Sequence, residues 1–238
     1  MKRRPEVTGA DGLKAESDRL ESLATAVAAG MFAGRGRSTA SDLDECIALE
    51  VYRRLAEGSP APASEVAERA GAPVERVQEL LASWPALHLD QEHNVIAFWG
   101  LTITKLSPTY RLKLHGRDLF TWCAWDTLFL PAILDATARV ESTCPTTGET
   151  ISLVVSPGGV VQSSHPGVVV SFPTPDQHFD AAVVRSFCHY VHFFASREAG
   201  ETWTAEHPGT FLLTLDDAFE LGRRVNALNF PSTFGSRR

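Results

Sequence analysis

Two reactive side chains lie three residues apart in the apolar segment FTWCAWDTLFLP (120–131), namely Cys123 and Asp126. A thiolate is a nucleophile and a ligand for soft metals. If the segment is a helix, positions i and i+3 share a face, so the two side chains would lie side by side. A carboxyl group among apolar residues has a raised pKa and could hold and deliver a proton near neutral pH. On these two residues alone, however, a core cysteine beside a partly exposed aspartate explains the pattern better.

A second candidate segment is SFCHYVHFF (186–194), which contains Cys188. Its aromatic and β-branched residues predict a strand, and only the fold could bring this thiol to Cys123. His189 and His192 have a spacing that suggests zinc binding. On a strand they would point to opposite faces, and no second ligand pair accompanies them. We therefore interpret both histidines as hydrogen-bonded polar groups of a sheet.

The other two cysteines are expected to be structural. Cys46 lies on the apolar stripe of a predicted helix, and Cys144 lies in the turn-like segment STCPTTGET. None of the four cysteines belongs to a CxxC pair, so neither a disulfide scaffold nor a zinc ribbon is indicated. The pattern favours reduced thiols in a cytoplasmic protein.

The elements that must position these groups begin with a helical segment, 37–100. Ser41 is a candidate N-cap for a first helix, a short second helix starts near Ser64, and a third runs from about Val74 to Trp84. The segments on either side of QEHN then predict a β-hairpin. Three helices and a hairpin are the layout of a winged helix-turn-helix.

Charge argues against DNA binding by this winged-helix-like domain. Residues 41–90 contain ten acidic and four basic side chains, a net charge of −6, and the whole chain carries −7. The third helix, which would read the groove, has Glu75 and Glu79 against Arg76. A nucleic-acid reader needs the opposite balance, so we predict a scaffold and no nucleic-acid partner.

The pattern changes in the remaining segment, 101–238. Alternating strands run through 101–116, 137–157 and 167–173, and LDDAFELGRRVNALNF (215–230) predicts a final amphipathic helix. Strands that follow one another without regular intervening helices favour a mixed, mainly antiparallel α+β domain. The first 36 residues are expected to form a partly disordered or helical leader, since acidic residues precede a short alanine-rich run. No stretch approaches the length of a membrane span.

Three segments, in this order, resemble the alkylmercury lyase (organomercurial lyase) family: LFTWCAWDTLFLPAIL, TARVESTCPTTGETISLVVSP and VRSFCHYVHFFAS. The resemblance extends from about residue 100 almost to the C-terminus and more loosely over 41–99. It implies an α+β fold with an N-terminal winged-helix-like domain that does not read DNA, followed by the family's catalytic domain. It also implies that Cys123, Asp126 and Cys188 are essential and that Cys144 is structural. The chain departs from some members at His189, where they have a second cysteine.

The resemblance implies protonolysis of R–Hg⁺. Cys123 and Cys188 would bind the mercury and Asp126 would relay the proton, which yields a hydrocarbon and Hg(II) bound at the same three residues. No resident cofactor is expected, and no nucleotide- or phosphate-binding loop is visible in the sequence. External low-molecular-weight thiols would support turnover, and mercuric reductase is a further candidate acceptor of the mercury. Apolar walls are expected from three aromatic residues, Trp122, Trp125 and Phe129.

Two rival functions remain open at this point. A non-catalytic carrier of mercury or copper would use Cys123 and Cys188 but has no need for Asp126. A winged-helix metal-responsive regulator would couple the cysteines to DNA affinity, against which the acidic segment counts. Metal binding without hydrocarbon release would favour the carrier, and salt-dependent binding of operator DNA would favour the regulator.

Overall fold

A computed structural model of the protein describes residues 10–31, 41–174 and 186–235. In these ranges the helices are α1 (Ala10–Met31), α2 (Asp42–Ala56), α3 (Ala63–Ala70), α4 (Val74–Ser83), α5 (Asp126–Ile133), α6 (Arg197–Glu206), α7 (Leu215–Asn229) and α8 (Pro231–Phe234). The strands are β1 (Leu87–Leu89), β2 (Val95–Phe98), β3 (Leu101–Thr102), β4 (Tyr110–Leu114), β5 (Arg117–Thr121), β6 (Ala138–Thr143), β7 (Thr150–Ser156), β8 (Gly159–Ser163), β9 (Val169–Pro173), β10 (Phe193–Phe194) and β11 (Thr210–Thr214).

Two antiparallel sheets organise the chain. The larger has eight strands in the order β1-β2-β3-β5-β4-β6-β7-β8, and the smaller has three in the order β10-β9-β11. Alternate residues of β6 and β7 are buried, as expected of strands with one face on the core. The predicted mixed α+β class with mainly antiparallel strands is thereby confirmed. The large sheet runs from the β1–β2 hairpin through β3 into β5, so it crosses residue 100 without a break.

Local sequence signals account for the ends of the early helices. The Ser41 side chain accepts a hydrogen bond from the Asp44 N–H and caps α2, as the sequence predicts. Gly71 ends α3 in the left-handed conformation, with φ +64°. The turn between β1 and β2 is closed by Asp90, whose carboxylate accepts the N–H groups of Glu92 and Asn94.

Three helices, α1, α7 and α5, pack on one another in this order. Helix α1, in which Leu20, Leu23 and Val27 are buried, packs on α7, and α7 packs on α5. The α5–α7 contact is close: a Cβ placed on Gly222 would lie 2.7 Å from Cβ of Phe129. The contact is also hydrogen-bonded, because the Trp125 indole N–H and the Asn226 side-chain amide donate to α7 and α5 carbonyls, respectively. Helix α5 is therefore fixed by packing along its length.

Two elements near the candidate residues differ from the prediction. The expected pairing of Cys123 and Asp126 requires a helix through 120–131, but residues 117–121 form β5 and α5 begins only at Asp126. The sequence predicts a strand over 186–194, but Cys188–Tyr190 form a 3₁₀ turn and only Phe193–Phe194 pair with β9. In both places the reason is long-range pairing: β5 bonds to β3 and β4, and the 3₁₀ turn bonds to β9.

Two smaller expectations also need correction. The segment 101–116 contains two separate strands, β3 and β4, joined by a loop with a cis Ser107–Pro108 peptide bond. Cys46 is half-buried and does not belong to the fully buried stripe of α2. Of the leader, residues 1–9 and 32–36 lie outside the described ranges, and the described part is α1. Among the residues that the structure describes, no helix combines the length and the apolar character needed to cross a membrane.

Candidate functional site

The fold brings together the three residues singled out from the sequence. The thiols of Cys123 and Cys188 and a carboxylate oxygen of Asp126 all lie within 4.8 Å of one another, and all three side chains are buried. Cys123 lies in the bend between β5 and α5, Asp126 is the first residue of α5, and Cys188 opens the 3₁₀ turn. Each therefore comes from a point where the chain changes direction.

Cys123 and Asp126 meet by a different route from the one the sequence predicts. Since Cys123 precedes the helix, the i, i+3 geometry of a continuous helix does not apply. Instead the Asp126 carboxylate reaches back and accepts the Cys123 backbone N–H at 2.8 Å. The Thr121 hydroxyl donates to the Cys123 carbonyl at 2.8 Å, which fixes the other side of the bend. The spacing of three residues is right, but a hydrogen-bonded bend produces the proximity.

The turn that carries Cys188 is held by β9. The Ser171 hydroxyl donates to the Tyr190 carbonyl at 2.7 Å and accepts the His192 N–H at 3.0 Å. Within the turn, the Val191 N–H donates to the Cys188 carbonyl at 3.2 Å. The backbone of this turn therefore has partners in the three-stranded sheet, so the Cys188 thiol has a defined position.

Gly100 forms the wall behind the Asp126 carboxyl group. Its φ is +90°, and a Cβ at this position would lie 2.6 Å from the Cγ of Asp126. The Gly100 carbonyl accepts the Trp122 N–H at 3.0 Å, and the Tyr52 hydroxyl donates to the neighbouring Trp99 carbonyl at 3.0 Å. Helix α2 thus helps to hold the backbone that contacts Asp126. Sequence reasoning missed Gly100 and Tyr52, because nothing in their local pattern indicates this long-range contact.

Burial sets the proton affinity of all three groups. It raises the pKa of Asp126 to about 7, although hydrogen bonds from Cys123 act in the opposite direction. Burial, together with the neighbouring Cys188 and Asp126, raises the pKa of Cys123 well above its ordinary value. At Cys188 the hydrogen bond from Cys123 lowers the pKa, but burial and the Asp126 charge outweigh it, so the pKa is raised. Without mercury, both thiols therefore keep their protons at neutral pH. The carboxyl group beside them exchanges its proton in that pH range.

The three aromatic residues expected to line the site have different surroundings. Trp125 and Phe129 pack against each other at a tilt, with ring centroids 4.8 Å apart, and belong to the core between α5 and α7. Trp122, next to Cys123, stacks on the exposed His88 at 5.5 Å. Its buried indole N–H has no hydrogen-bond acceptor among the described residues. Trp122 is therefore the member of this set that lies between the site and the surface.

The histidines of the second segment are not part of the three-residue cluster in the described chain. His189 is exposed beside Cys188, and the half-buried His192 bonds to the Tyr110 hydroxyl through Nδ1. Burial lowers the pKa of His192 to about 4, so its imidazole is neutral at physiological pH. The interpretation of His192 as a hydrogen-bonded polar group agrees with this contact, although the segment is not a strand at that point.

Cys144 lies apart from the cluster in the turn between β6 and β7. Its N–H donates to the Glu149 carbonyl at 2.8 Å and its carbonyl accepts the Gly148 N–H at 2.9 Å, which closes the turn. Burial opposes ionisation of the thiol, but hydrogen bonds from the Thr147 hydroxyl and the Ala195 N–H lower its pKa. These contacts agree with the structural role predicted for Cys144.

Two soft thiols and a proton-exchanging carboxyl group in one buried site can capture a soft metal and move a proton at the same place. Comparison with known proteins shows the family to which the chain belongs. The family model of alkylmercury lyase (MerB) matches residues 103–226. A solved structure described as the mercury-bound form of MerB2 has a TM-score of 0.66 at 23% identity, covers 88% of this chain and 98% of its own, and shows the same fold.

Curated relatives extend the match over most of the chain. The alkylmercury lyase of Staphylococcus epidermidis is 38% identical over 192 residues, which cover 78% of this chain and 86% of that protein. The alkylmercury lyase of Bacillus cereus is 39% identical over 174 residues, 73% of this chain and 77% of that protein. That of Pseudomonas putida is 38% identical over 177 residues, 74% and 81% of the two chains. The chain thus belongs to the alkylmercury lyase family and is a carbon–mercury lyase.

Proposed function

We propose that the protein cleaves the carbon–mercury bond of R–Hg⁺ by protonolysis, with Cys123 and Cys188 as mercury ligands and Asp126 as the proton relay. The observation that carries this proposal is the buried cluster in which these three groups lie within 4.8 Å of one another. A carrier needs the two thiols, whereas a carboxyl group with a pKa of about 7 beside them is suited to proton transfer.

The first step is capture of the substrate by Cys123. The thiol lies beside the Asp126 carboxylate, so its proton passes to that carboxylate as the sulfur–mercury bond forms. Both thiols have raised pKa values, and mercury binding supplies the driving force for their ionisation. After this step Asp126 is protonated and lies next to the mercury-bound carbon.

The second step uses Cys188 and the stored proton. Binding of the second thiolate pushes electron density into the mercury–carbon bond, and the bonding electron pair leaves with carbon. Asp126 donates its proton to that carbon and the hydrocarbon forms. Of the two thiol protons, one thus ends on the product and the other leaves for solvent. Hg(II) remains between the two thiolates and the carboxylate.

Burial contributes to the reaction by excluding water. In a site of low dielectric constant, the interactions of the thiolates and the carboxylate with developing charge are stronger than in water. Product release would then require exchange onto external low-molecular-weight thiols, or transfer to an acceptor such as mercuric reductase. The reduced thiols that this scheme requires favour a cytoplasmic location. No step needs a resident cofactor.

We assign a scaffold role to α2–α4 and the β1–β2 hairpin, whose layout is winged-helix-like. The four arginines of 41–90 all form ion pairs with acidic neighbours: Arg53 with Glu50, Arg54 with Glu57 and Glu65, Arg69 with Glu57, and Arg76 with Asp44. Cations that are neutralised in this way are poor phosphate ligands, which supports the absence of a nucleic-acid partner. The Tyr52–Trp99 hydrogen bond instead connects this segment to the wall behind Asp126.

The test is release of arene from an arylmercurial in the presence of excess small thiol, measured against a no-enzyme control. Wild-type protein should release arene, and the absence of release would refute the lyase mechanism. Asp126→Ala should bind mercury without cleavage, because the thiols remain while the relay is lost. Cleavage by Cys123→Ser would show that the two-thiolate scheme is wrong. Cys46→Ser, which removes a half-buried thiol of α2 outside the cluster, is the matched control and should retain activity.

The same experiment separates the rival functions. Stoichiometric mercury binding by wild type without hydrocarbon release would identify a carrier. Binding to operator DNA that weakens as salt increases would identify a metal-responsive regulator. Neither rival predicts that Asp126→Ala keeps mercury binding while losing a chemical step, so this variant discriminates most sharply.

A further inference from the structure

We propose that Tyr110 is a positioning residue that fastens the Cys188 turn to the Cys123 bend through the Val191 carbonyl. The inference rests on the proposed function, because it assigns the geometry of the two mercury-binding thiols to a third, distant side chain. Tyr110 lies on β4 and is buried, with 3% of its surface exposed. It belongs neither to the bend nor to the turn.

The Val191 carbonyl is the point at which the two cysteine-bearing segments meet. It accepts the N–H of Ala124, the residue after Cys123, at 3.2 Å, and the N–H of Val191 itself donates to the Cys188 carbonyl at 3.2 Å. Val191 is fully buried, so both of its backbone groups depend on protein partners. The backbone of one residue therefore relates the positions of both thiols.

The Tyr110 hydroxyl is the second donor to this carbonyl, at 3.3 Å, and it also contacts Nδ1 of His192. A carbonyl oxygen only accepts, so a hydroxyl that donates to Val191 has its own oxygen free to accept a hydrogen bond from the Nδ1–H group of the neutral His192. Residues 191 and 192 are thus held together by one phenol. Loss of this hydroxyl leaves the Ala124 N–H as the one donor to the Val191 carbonyl among the described residues.

The strand pairing of Tyr110 extends the same support to the other thiol. Tyr110 is the cross-strand partner of Thr121, whose hydroxyl donates to the Cys123 carbonyl at 2.8 Å. Neighbouring residues of β4 and β5 therefore secure both segments: Thr121 holds the bend and Tyr110 holds the turn. The strand pair thus supports both segments and, through them, the separation of the two sulfur atoms.

The chemistry of the phenol fits positioning and not proton transfer. Burial raises the pKa of Tyr110 well above its ordinary value, and the charges of Cys123, Cys188 and Asp126 raise it further. A phenol that keeps its proton throughout the working pH range remains a hydrogen-bond donor. Asp126 remains the group that exchanges a proton near neutral pH.

The test compares Tyr110→Phe with Tyr190→Phe. Both remove one hydroxyl near Cys188, but the structure shows no hydrogen bond for the Tyr190 hydroxyl in the described chain. With the arylmercurial, Tyr110→Phe should lower kcat about 10- to 100-fold with little change in KM, because Cys123 still captures substrate while Cys188 is misplaced. Tyr190→Phe should match wild type. Equal kcat values for the two variants would overturn the proposal.

A second readout follows the mercury ligands directly and does not depend on catalysis. Hg(II) loaded onto Tyr110→Phe should be removed by a competing dithiol faster than Hg(II) loaded onto wild type or Tyr190→Phe, since the second thiolate is held less firmly. Equal removal rates would contradict the assignment. A wild type that binds Hg(II) but releases no arene would refute the proposed function alone, and this comparison would still test Tyr110.

A further pair of variants covers the case in which Tyr110→Phe does not fold. His192→Asn keeps a donor at the position of Nδ1 and should retain activity, whereas His192→Leu removes it and should lower kcat without a matching rise in KM. Equal kcat values for these two variants would show that the contact between the imidazole and the phenol does not position Cys188.

Discussion

Substitution of Gly100 by alanine tests whether backbone packing positions the proton relay. The added Cβ would lie 2.6 Å from Cγ of Asp126 and 2.7 Å from one of its carboxylate oxygens. Carbon atoms in ordinary contact are about 3.5–4.0 Å apart, so the carboxyl group must move by roughly 1 Å. Because it is the end of a side chain, it can swing away at modest cost. The main effect of this contact should therefore be on catalysis.

The magnitude follows from that displacement. A reacting group misplaced by about 1 Å costs on the order of 100-fold in rate, so kcat for arene release should fall by about that factor. Mercury binding should persist, because the three atoms nearest to the added Cβ all belong to Asp126. Alanine at a positive φ also costs about 1–2 kcal/mol in backbone strain. This strain lowers the melting temperature independently of any effect on Asp126.

Gly116→Ala is the matched control for that strain. Gly116 has φ +81°, close to the +90° of Gly100, and a Cβ there meets nothing within 4 Å. The two variants should lose similar stability in thermal melts, while only Gly100→Ala loses turnover. If Gly100→Ala releases arene as fast as Gly116→Ala, the carboxyl group is not positioned by this contact and the reasoning is wrong.

Three further predictions concern stability. Because the native pKa of Asp126, about 7, lies above the ordinary 3.8, the folded protein holds the extra proton and should lose stability as pH rises from about 4 to about 7. In denaturant titrations Asp126→Asn should lack this loss. If wild type and Asp126→Asn showed the same dependence of stability on pH, the result would count against the raised pKa. Gly222→Ala would place a Cβ 2.7 Å from Cβ of Phe129 and should reduce the free energy of unfolding by about 1–3 kcal/mol, checked by chemical denaturation. Arg224→Ala removes the hydrogen bond to the Ser17 carbonyl at 2.7 Å, so trypsin should cleave α1 faster than in wild type; unchanged cleavage would show that this bond does not hold α1.

The sequence is informative where local pattern and tertiary structure agree. The cap at Ser41, the β6–β7 hairpin and the periodic apolar residues of α7 all predict the observed elements. Residues 119–130 are apolar on nearly every side, and such a run does not distinguish a buried strand from a buried helix. The first residues of this run form a strand because β5 pairs with β3 and β4, and that pairing depends on residues outside the run.

The candidate site divides in the same way. Residue types and family resemblance identify Cys123, Asp126 and Cys188, because soft-metal and proton chemistry require those side chains. The groups that position them were not predictable, since Gly100 and Tyr110 act through contacts with residues that are distant in sequence. A glycine beside a tryptophan and a tyrosine in a strand carry no local signal of that role.

The continuity of the large sheet has a consequence for inheritance. The family model begins at residue 103, yet Gly100, which contacts Asp126, lies between β2 and β3 and therefore precedes it. A recombination event near residue 100 would combine Asp126 from one parent with the residue-100 backbone of the other. Chimeras of two relatives joined there should be impaired even when both parents are active. We therefore expect the acidic helical segment and the thiol-bearing segment to be inherited together.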